Sequence, residues 1–296
     1  MPELYRQIQD NKLKSWFFVG FLFILIVATS FFFGILTGMD TPAIIVLAFV
    51  LSILLTLGSY HYSDSIVVAA TGAKPADEKE YRRLHSLVEG LCIASGIPKP
   101  KVYVLEDKAI NAFATGRDPQ HAVLCVTTGA LEKLDKSELE GVIAHEMSHI
   151  KNYDMRFMTF AVVMVGIVGL ISNIALRSMF WGGGRRDDNR GNAGWILLVI
   201  GIIFIILAPI FAKLVQLAVS RKREYLADAS GAFLTRYPDG LASALKKIKL
   251  ESLPVKTAST TTESLFFANP LNASAWNNLF STHPPIDERI KRLESM

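Results

Sequence analysis

Residues 145–149 read His-Glu-Met-Ser-His. On a helix, positions four apart lie one above the other on one face. His145 and His149 can therefore present two imidazole nitrogens to one ion, with Glu146 projecting beside them. Zinc held by two such histidines and a third protein ligand keeps an open position, where the pKa of water falls to about 7. A neighbouring carboxylate can accept that water's proton as it attacks a carbonyl. This is the chemistry of peptide hydrolysis. A short pattern also arises by chance, so its setting matters. Ser137 is a good N-cap, Glu140 three residues on completes a capping box, and Leu139, Val142, Ile143 and Ala144 supply a buried stripe. The segment reads as the helix that the motif requires.

Two histidines leave zinc short of a ligand. Glu224 is the best candidate for the third, at the start of the helical stretch Glu224-Tyr225-Leu226-Ala227-Asp228-Ala229. Asp228, four residues on, shares its face and is placed to accept a hydrogen bond from a ligand histidine, fixing its tautomer. On pattern alone the same two acids could equally form a solvated face beside Arg221 and Arg223. A closed structural zinc site takes four Cys or His ligands. The chain has two widely separated cysteines, Cys92 and Cys125, which read as ordinary buried thiols, and no further His near the motif. His61, His85 and His121 match no motif.

The elements that must carry these residues are unusual in composition. Of 296 residues 51% are hydrophobic, and the mean hydropathy is +0.33, too apolar for an ordinary soluble protein. Four runs account for this: 16–38, 42–60, 157–176 and 194–219. Each is near or above the ~20 residues that cross a bilayer as a helix. The first exceeds the apolar core of a signal peptide, and a second span follows at once. Arg6, Lys12 and Lys14 precede the first span, whereas the turn after it has no Lys or Arg, which places the N-terminus in the cytoplasm. Arg221, Lys222 and Arg223 after the fourth span agree. Arg177, Arg185, Arg186 and Arg190, between the third and fourth, do not. The inward topology is kept because His145, His149 and Glu224 must meet on one side of the second hairpin. Basic residues are scattered or flank the spans, so nucleic acid is not expected as a partner; the bilayer is.

The remaining chain divides in two. In residues 61–156 the periodicity predicts a helix over 77–95, stopped by Gly96, Pro98 and Pro100. Strands are predicted over 101–105, 111–116 and 122–127, a small sheet with an edge on which an extended peptide could add. Residues 220–296 carry Glu224. Within them 252–275 reads as a long flexible loop over or beside the site.

In order, a hydrophobic hairpin, Asn111-Ala112-Phe113-Ala114, the His145–His149 motif, a second hairpin, Glu224-Tyr225-Leu226-Ala227-Asp228 and His283-Pro284 run over nearly the whole chain. This order resembles the HtpX-type membrane metallopeptidases, relatives of the type I CaaX prenyl proteases. The resemblance implies a four-span α-helical membrane protein with an α+β zincin-like (gluzincin) catalytic domain. That domain is assembled from 61–156 and 220–296, between membrane segments 1–60 and 157–219. It implies one Zn2+ per chain on His145, His149 and Glu224, Glu146 as general base and Asp228 behind the ligands. Asn111 looks like the residue that holds substrate backbone near the scissile bond. His283 looks like an oxyanion donor, and Arg289 could replace it or clamp the site by pairing with an acid. Placement in the bacterial inner membrane, with the catalytic domain facing the cytoplasm, and substrates among membrane or unfolded proteins follow from the same likeness. So does a role in quality control or stress response. Two rivals remain: CaaX-type cleavage of prenylated peptides, for which more spans would be expected, and a non-catalytic four-span protein.

Overall fold

The computed structural model describes residues 61–156, 158, 159, 221–251, 253–256, 258, 262, 265–268 and 284–296, with isolated positions between 9 and 58. The fourth span and His283 lie outside the described residues, as does most of the first three spans. Among the described residues no helix is long and apolar enough to cross a membrane.

The described elements run α1 (Ser63–Thr71), β1 (Lys74–Pro75), α2 (Arg82–Ser95), β2 (Lys101–Leu105), β3 (Ala112–Gly116), a 3-10 turn (Pro119–His121), β4 (Ala122–Thr127), α3 (Thr128–Lys133), α4 (Lys136–Lys151), α5 (Arg221–Thr235), α6 (Pro238–Glu251) and α7 (Ile286–Leu293). The sheet order is β1-β2-β4-β3. β2 runs parallel to β4, with Tyr103 opposite Cys125, and β3 runs antiparallel to β4, with Ala114 opposite Leu124. Side chains alternate across a strand. Val102, Val104, Leu124 and Val126 thus join the main core with α2, α4 and α6. Leu105, Phe113 and Cys125 point the other way, into a second cluster with Val255, Leu265 and Phe266. With both faces covered, β4 is buried at every residue, which explains its unbroken apolar run.

Two predicted boundaries move. Helix α2 begins at Arg82, not at 77, because the Asp77 carboxylate accepts the Lys79 and Glu80 backbone N–H groups and closes a turn first. It ends as expected at Gly96, whose φ of +70° is a left-handed cap. Helix α4 is capped by Asp135, not Ser137. Asp135 accepts the Glu138 N–H at 2.9 Å, and the Glu138 carboxylate accepts the Asp135 N–H at 2.8 Å. The same acid-at-three pattern exists in two registers. The winning one buries Glu138 where Ser243 and Lys247 of α6 also bond it, at 2.7 and 2.6 Å.

The sheet edge expected to receive a peptide is largely taken by the chain itself. Phe266 bridges to Phe113 in antiparallel sense, and the Phe267 N–H donates to the Ala112 carbonyl at 2.8 Å. Farther along, the Gly116 N–H donates to Thr159 Oγ1 at 3.1 Å. Residues 265–268, read from sequence as part of a flexible loop, are thus buried between strand β3 and the helices.

Candidate metal centre

Helix α4 carries its motif through the centre of the fold, so that His145 is fully buried and Glu146 and His149 nearly so. Helix α5 crosses directly against it. Glu224, Asp228 and Gly231 fall at i, i+4 and i+7, one face of α5. At Gly231 a Cβ would stand 3.0 Å from the His145 backbone nitrogen. The absent side chain lets the two backbones close up, and that approach brings Glu224 and Asp228 to the histidines.

The geometry is convergent. His145 Nε2 and His149 Nε2 are 3.1 Å apart. Glu224 Oε1 lies 3.4 Å from His149 Nε2, and its Oε2 lies 3.8 Å from His145 Nε2. The other ring nitrogens face carboxylates: His145 Nδ1 is 2.9 Å from Asp228 Oδ1 and His149 Nδ1 is 3.1 Å from Asp154 Oδ2. An ionised carboxylate can only accept, so both Nδ1 atoms donate. In the neutral rings both Nε2 atoms then present lone pairs to each other, an arrangement that calls for a cation between them. Zinc–nitrogen bonds of ~2.0–2.1 Å at tetrahedral angles would set the two nitrogens about 3.3 Å apart. His145, His149 and Glu224 form a group able to hold a metal, with ligand atoms within 4.8 Å of one another. Two imidazoles and a carboxylate suit zinc.

The electrostatics agree with that donor set. Loss of hydration pulls His145 down to about 4, against the raising effect of Asp228. Burial lowers His149 too, yet the Asp154 and Glu224 carboxylates outweigh it and hold its proton well above the usual histidine range. Burial lifts the Asp228 carboxyl, but Arg289 and His145 bring it down to about 2. Glu146 is different. Desolvation raises it to about 7, with Glu224 adding to the rise and His149, Arg289 and the Ala114 N–H opposing it. Its Oε1 is buried with no hydrogen-bond partner among the described residues. A buried carboxyl with one oxygen left unpaired within its fold is held ready for a group that arrives later. Ala114, Met158, Leu265, Phe266 and Phe267 close a small cavity over Glu146 and the three ligand residues.

Two residues expected at the substrate are engaged within the chain itself. Arg289 is buried and committed inward. Its Nε and Nη2 grip Asp228 at 2.9 and 2.7 Å, and Nη1 donates to the Phe267 carbonyl at 2.9 Å. Its guanidinium also lies 4.6 Å from the centre of the Phe267 ring. It clamps an acid behind the ligands, the second of the two roles read for it from the sequence. Asn111 likewise serves its own chain: Nδ2 donates to the Ala268 carbonyl at 3.0 Å, and Oδ1 accepts the Ala112 and Ala268 N–H groups. The amide is saturated by backbone that sits where substrate backbone was expected. Asp154, Gly231 and Phe267 had no sequence reading. Only Gly231, in step with Glu224 and Asp228, carried a usable signal.

Histidines paired on one helix, an acid from a second helix and a buried carboxyl with one unpaired oxygen beside them make this a metal-dependent peptidase. Comparison with known proteins narrows the class. The profile of peptidase family M48 matches residues 78–296, and the chain belongs to that family. It is 46% identical to the protease HtpX homologs of Thermoanaerobacter pseudethanolicus and of Caldanaerobacter subterraneus subsp. tengcongensis, over 99% of this chain and 98% of theirs. It is 41% identical to the homolog from Ligilactobacillus salivarius, over 99% of this chain and all of that one. Among solved structures, S. mikatae Ste24p aligns with 99% of this chain and 67% of its own, with a TM-score of 0.50 and 18% identity. That likeness concerns the fold alone.

Proposed function

We propose that this metallopeptidase is an endopeptidase embedded in the bacterial inner membrane by four helices. One Zn2+ per chain is held by His145, His149 and Glu224, and the catalytic residues face the cytoplasm. The observation that carries the reading is the convergence of those three side chains on one point beside Glu146, whose Oε1 has no partner among the described residues. Bound zinc would supply Lewis acidity, making water acidic near neutrality and polarising the scissile carbonyl. Glu146 takes a proton from the attacking water as the new carbon–oxygen bond forms. It returns that proton to the amide nitrogen as the carbon–nitrogen bond breaks. Asp228 keeps the His145 imidazole in the tautomer that leaves Nε2 bare. Arg289 holds Asp228 in place.

Membrane embedding draws support from the four apolar runs and from helical residues that expose large apolar side chains, among them Leu13, Phe17, Ile24, Val46 and Leu54. The third run begins eight residues after His149, which puts the site close to the bilayer surface. Membrane proteins and unfolded segments near the surface are the substrates such a placement favours.

The test is metal analysis of purified enzyme beside Glu146→Gln, with casein as substrate. Wild type should carry one zinc and cleave. The variant should carry one zinc and lose about 10²–10⁴-fold in rate, as expected on removal of a general base. Wild-type turnover by Glu146→Gln would overturn the assignment.

A further inference from the structure

We infer that Asp154 is a positioning residue for the metal centre, holding His149 as Asp228 holds His145, with Arg223 behind it as Arg289 stands behind Asp228. The inference rests on the zinc site proposed above and adds a second clamp to it. Each ligand histidine turns Nδ1 onto a buried carboxylate, at 2.9 Å for Asp228 and 3.1 Å for Asp154. Each carboxylate is in turn faced by an arginine. Arg289 grips Asp228 at 2.7 Å, and Arg223 Nη1 stands 3.8 Å from Asp154 Oδ1.

The local backbone is bent to make this contact. Helix α4 ends at Lys151 with Asn152 as its cap. Tyr153 follows at φ +60°, a left-handed conformation that strains a bulky residue. The reversal returns Asp154 to the helix end, five residues after His149, with only 1% of its surface exposed. An acid buried there without a role would be costly. Here its oxygens meet His149 on one side and Arg223 on the other. Arg223 immediately precedes Glu224 in α5. One strut therefore ties the second ligand histidine to the element bearing the third ligand, across the 66 residues between Arg156 and Arg223.

A carboxylate that holds a ligand imidazole fixes its tautomer and makes it a better donor, and losing such a partner typically costs 10–100-fold in metal affinity. The experiment is zinc titration of the full-length, detergent-solubilised protein against a competing chelator, with thermal unfolding of each metal-free variant alongside. Asp154→Ala should weaken zinc by about 10–100-fold. Asp154→Asn, which keeps an acceptor but not the charge, should fall between Ala and wild type, and Arg223→Ala should have a smaller effect. Asp118→Asn takes the charge from the Asp118–His121 pair, equally an Asp–His contact at 2.6 Å but far in sequence from the ligands, and should leave zinc affinity unchanged. If Asp154→Ala fails to fold, Asp154→Asn, close in shape and volume, decides. A folded Asp154→Asn that holds zinc within twofold of wild type overturns the inference. If wild type itself binds no zinc, it is the zinc site that fails, a separate result.

Discussion

Two neutral imidazoles that point bare Nε2 atoms at each other across 3.1 Å are stable only with a cation or a proton between them, and each residue around them has a distinct share in that arrangement. Glu224 supplies the only carboxylate facing both Nε2 atoms among the described residues. Glu224→Ala should therefore abolish zinc retention through dialysis, measured by atomic absorption. Zinc bound as tightly as in wild type would show the ligand set to be wrong. Asp228→Ala removes the hydrogen bond behind His145 and should weaken zinc about 10–100-fold. Arg289 is harder to replace. Deleting a buried charge while its partner stays behind costs about 3–5 kcal/mol, so Arg289→Ala should lower the unfolding midpoint in denaturant as well as zinc affinity. Asn111→Ala leaves the Ala268 N–H and carbonyl unpaired in the interior. A loss of about 1–3 kcal/mol is expected. An unchanged midpoint would argue that 265–268 is not fastened there.

At the level of elements, the decisive contact is α4 against α5, and it depends on Gly231. Replacing it with Ala gains about 1 kcal/mol of helix propensity. The new Cβ, however, would stand 3.0 Å from backbone that cannot rotate away, and overpacking of that kind costs about 1–3 kcal/mol. Because Glu224 and Asp228 share that helical face, the displacement should appear chiefly in the metal. Gly231→Ala should bind zinc more weakly than its modest loss of stability would suggest, and wild-type affinity would show that the approach is slack. Helix α6 is fastened separately, through Glu138. Its carboxylate receives the Asp135 N–H, Ser243 and Lys247. Glu138→Ala should destabilise by about 3 kcal/mol, since it strands several donors around one buried site.

For the molecule as a whole, the open prediction is its orientation in the membrane. Zinc is reached from both His149 and Glu224, so the ends of the 157–219 segment lie on one side. The basic residues ahead of the first apolar run predict that this side faces the cytoplasm. The four arginines between 177 and 190 oppose this, though at the headgroup level long side chains can snorkel to phosphates at little cost. The native thiols are buried, so single cysteines at Ser15, Ser86 and Ser281 can be read cleanly. Ser86 itself is exposed on α2. All three should be shielded from an impermeant thiol reagent applied outside the cell, and a cysteine at Asn189 should be labelled. Labelling of Asn189 only from the inside would mean that the second hairpin does not cross.

By itself the sequence determined what is local. The His145–His149 spacing, the Glu224–Asp228 spacing, the cap at Gly96, and β2 and β4 follow from helical and strand periods that any reader of the chain can apply. It also supplied the family, because the order of short motifs survives where each alone is ambiguous. Tertiary structure decided whatever depended on partners distant in sequence. Two capping boxes were written in residues 135–140, and the choice between them lay with Ser243 and Lys247. Arg289 and Asn111 carry polar groups that suit substrate or self equally well, and only the fold, by burying Asp228 and Ala268 against them, turned both inward. Asp154 was invisible for the same reason. Its distance from His149 fits no helical period, and it reaches the ring only because Tyr153 bends the chain back.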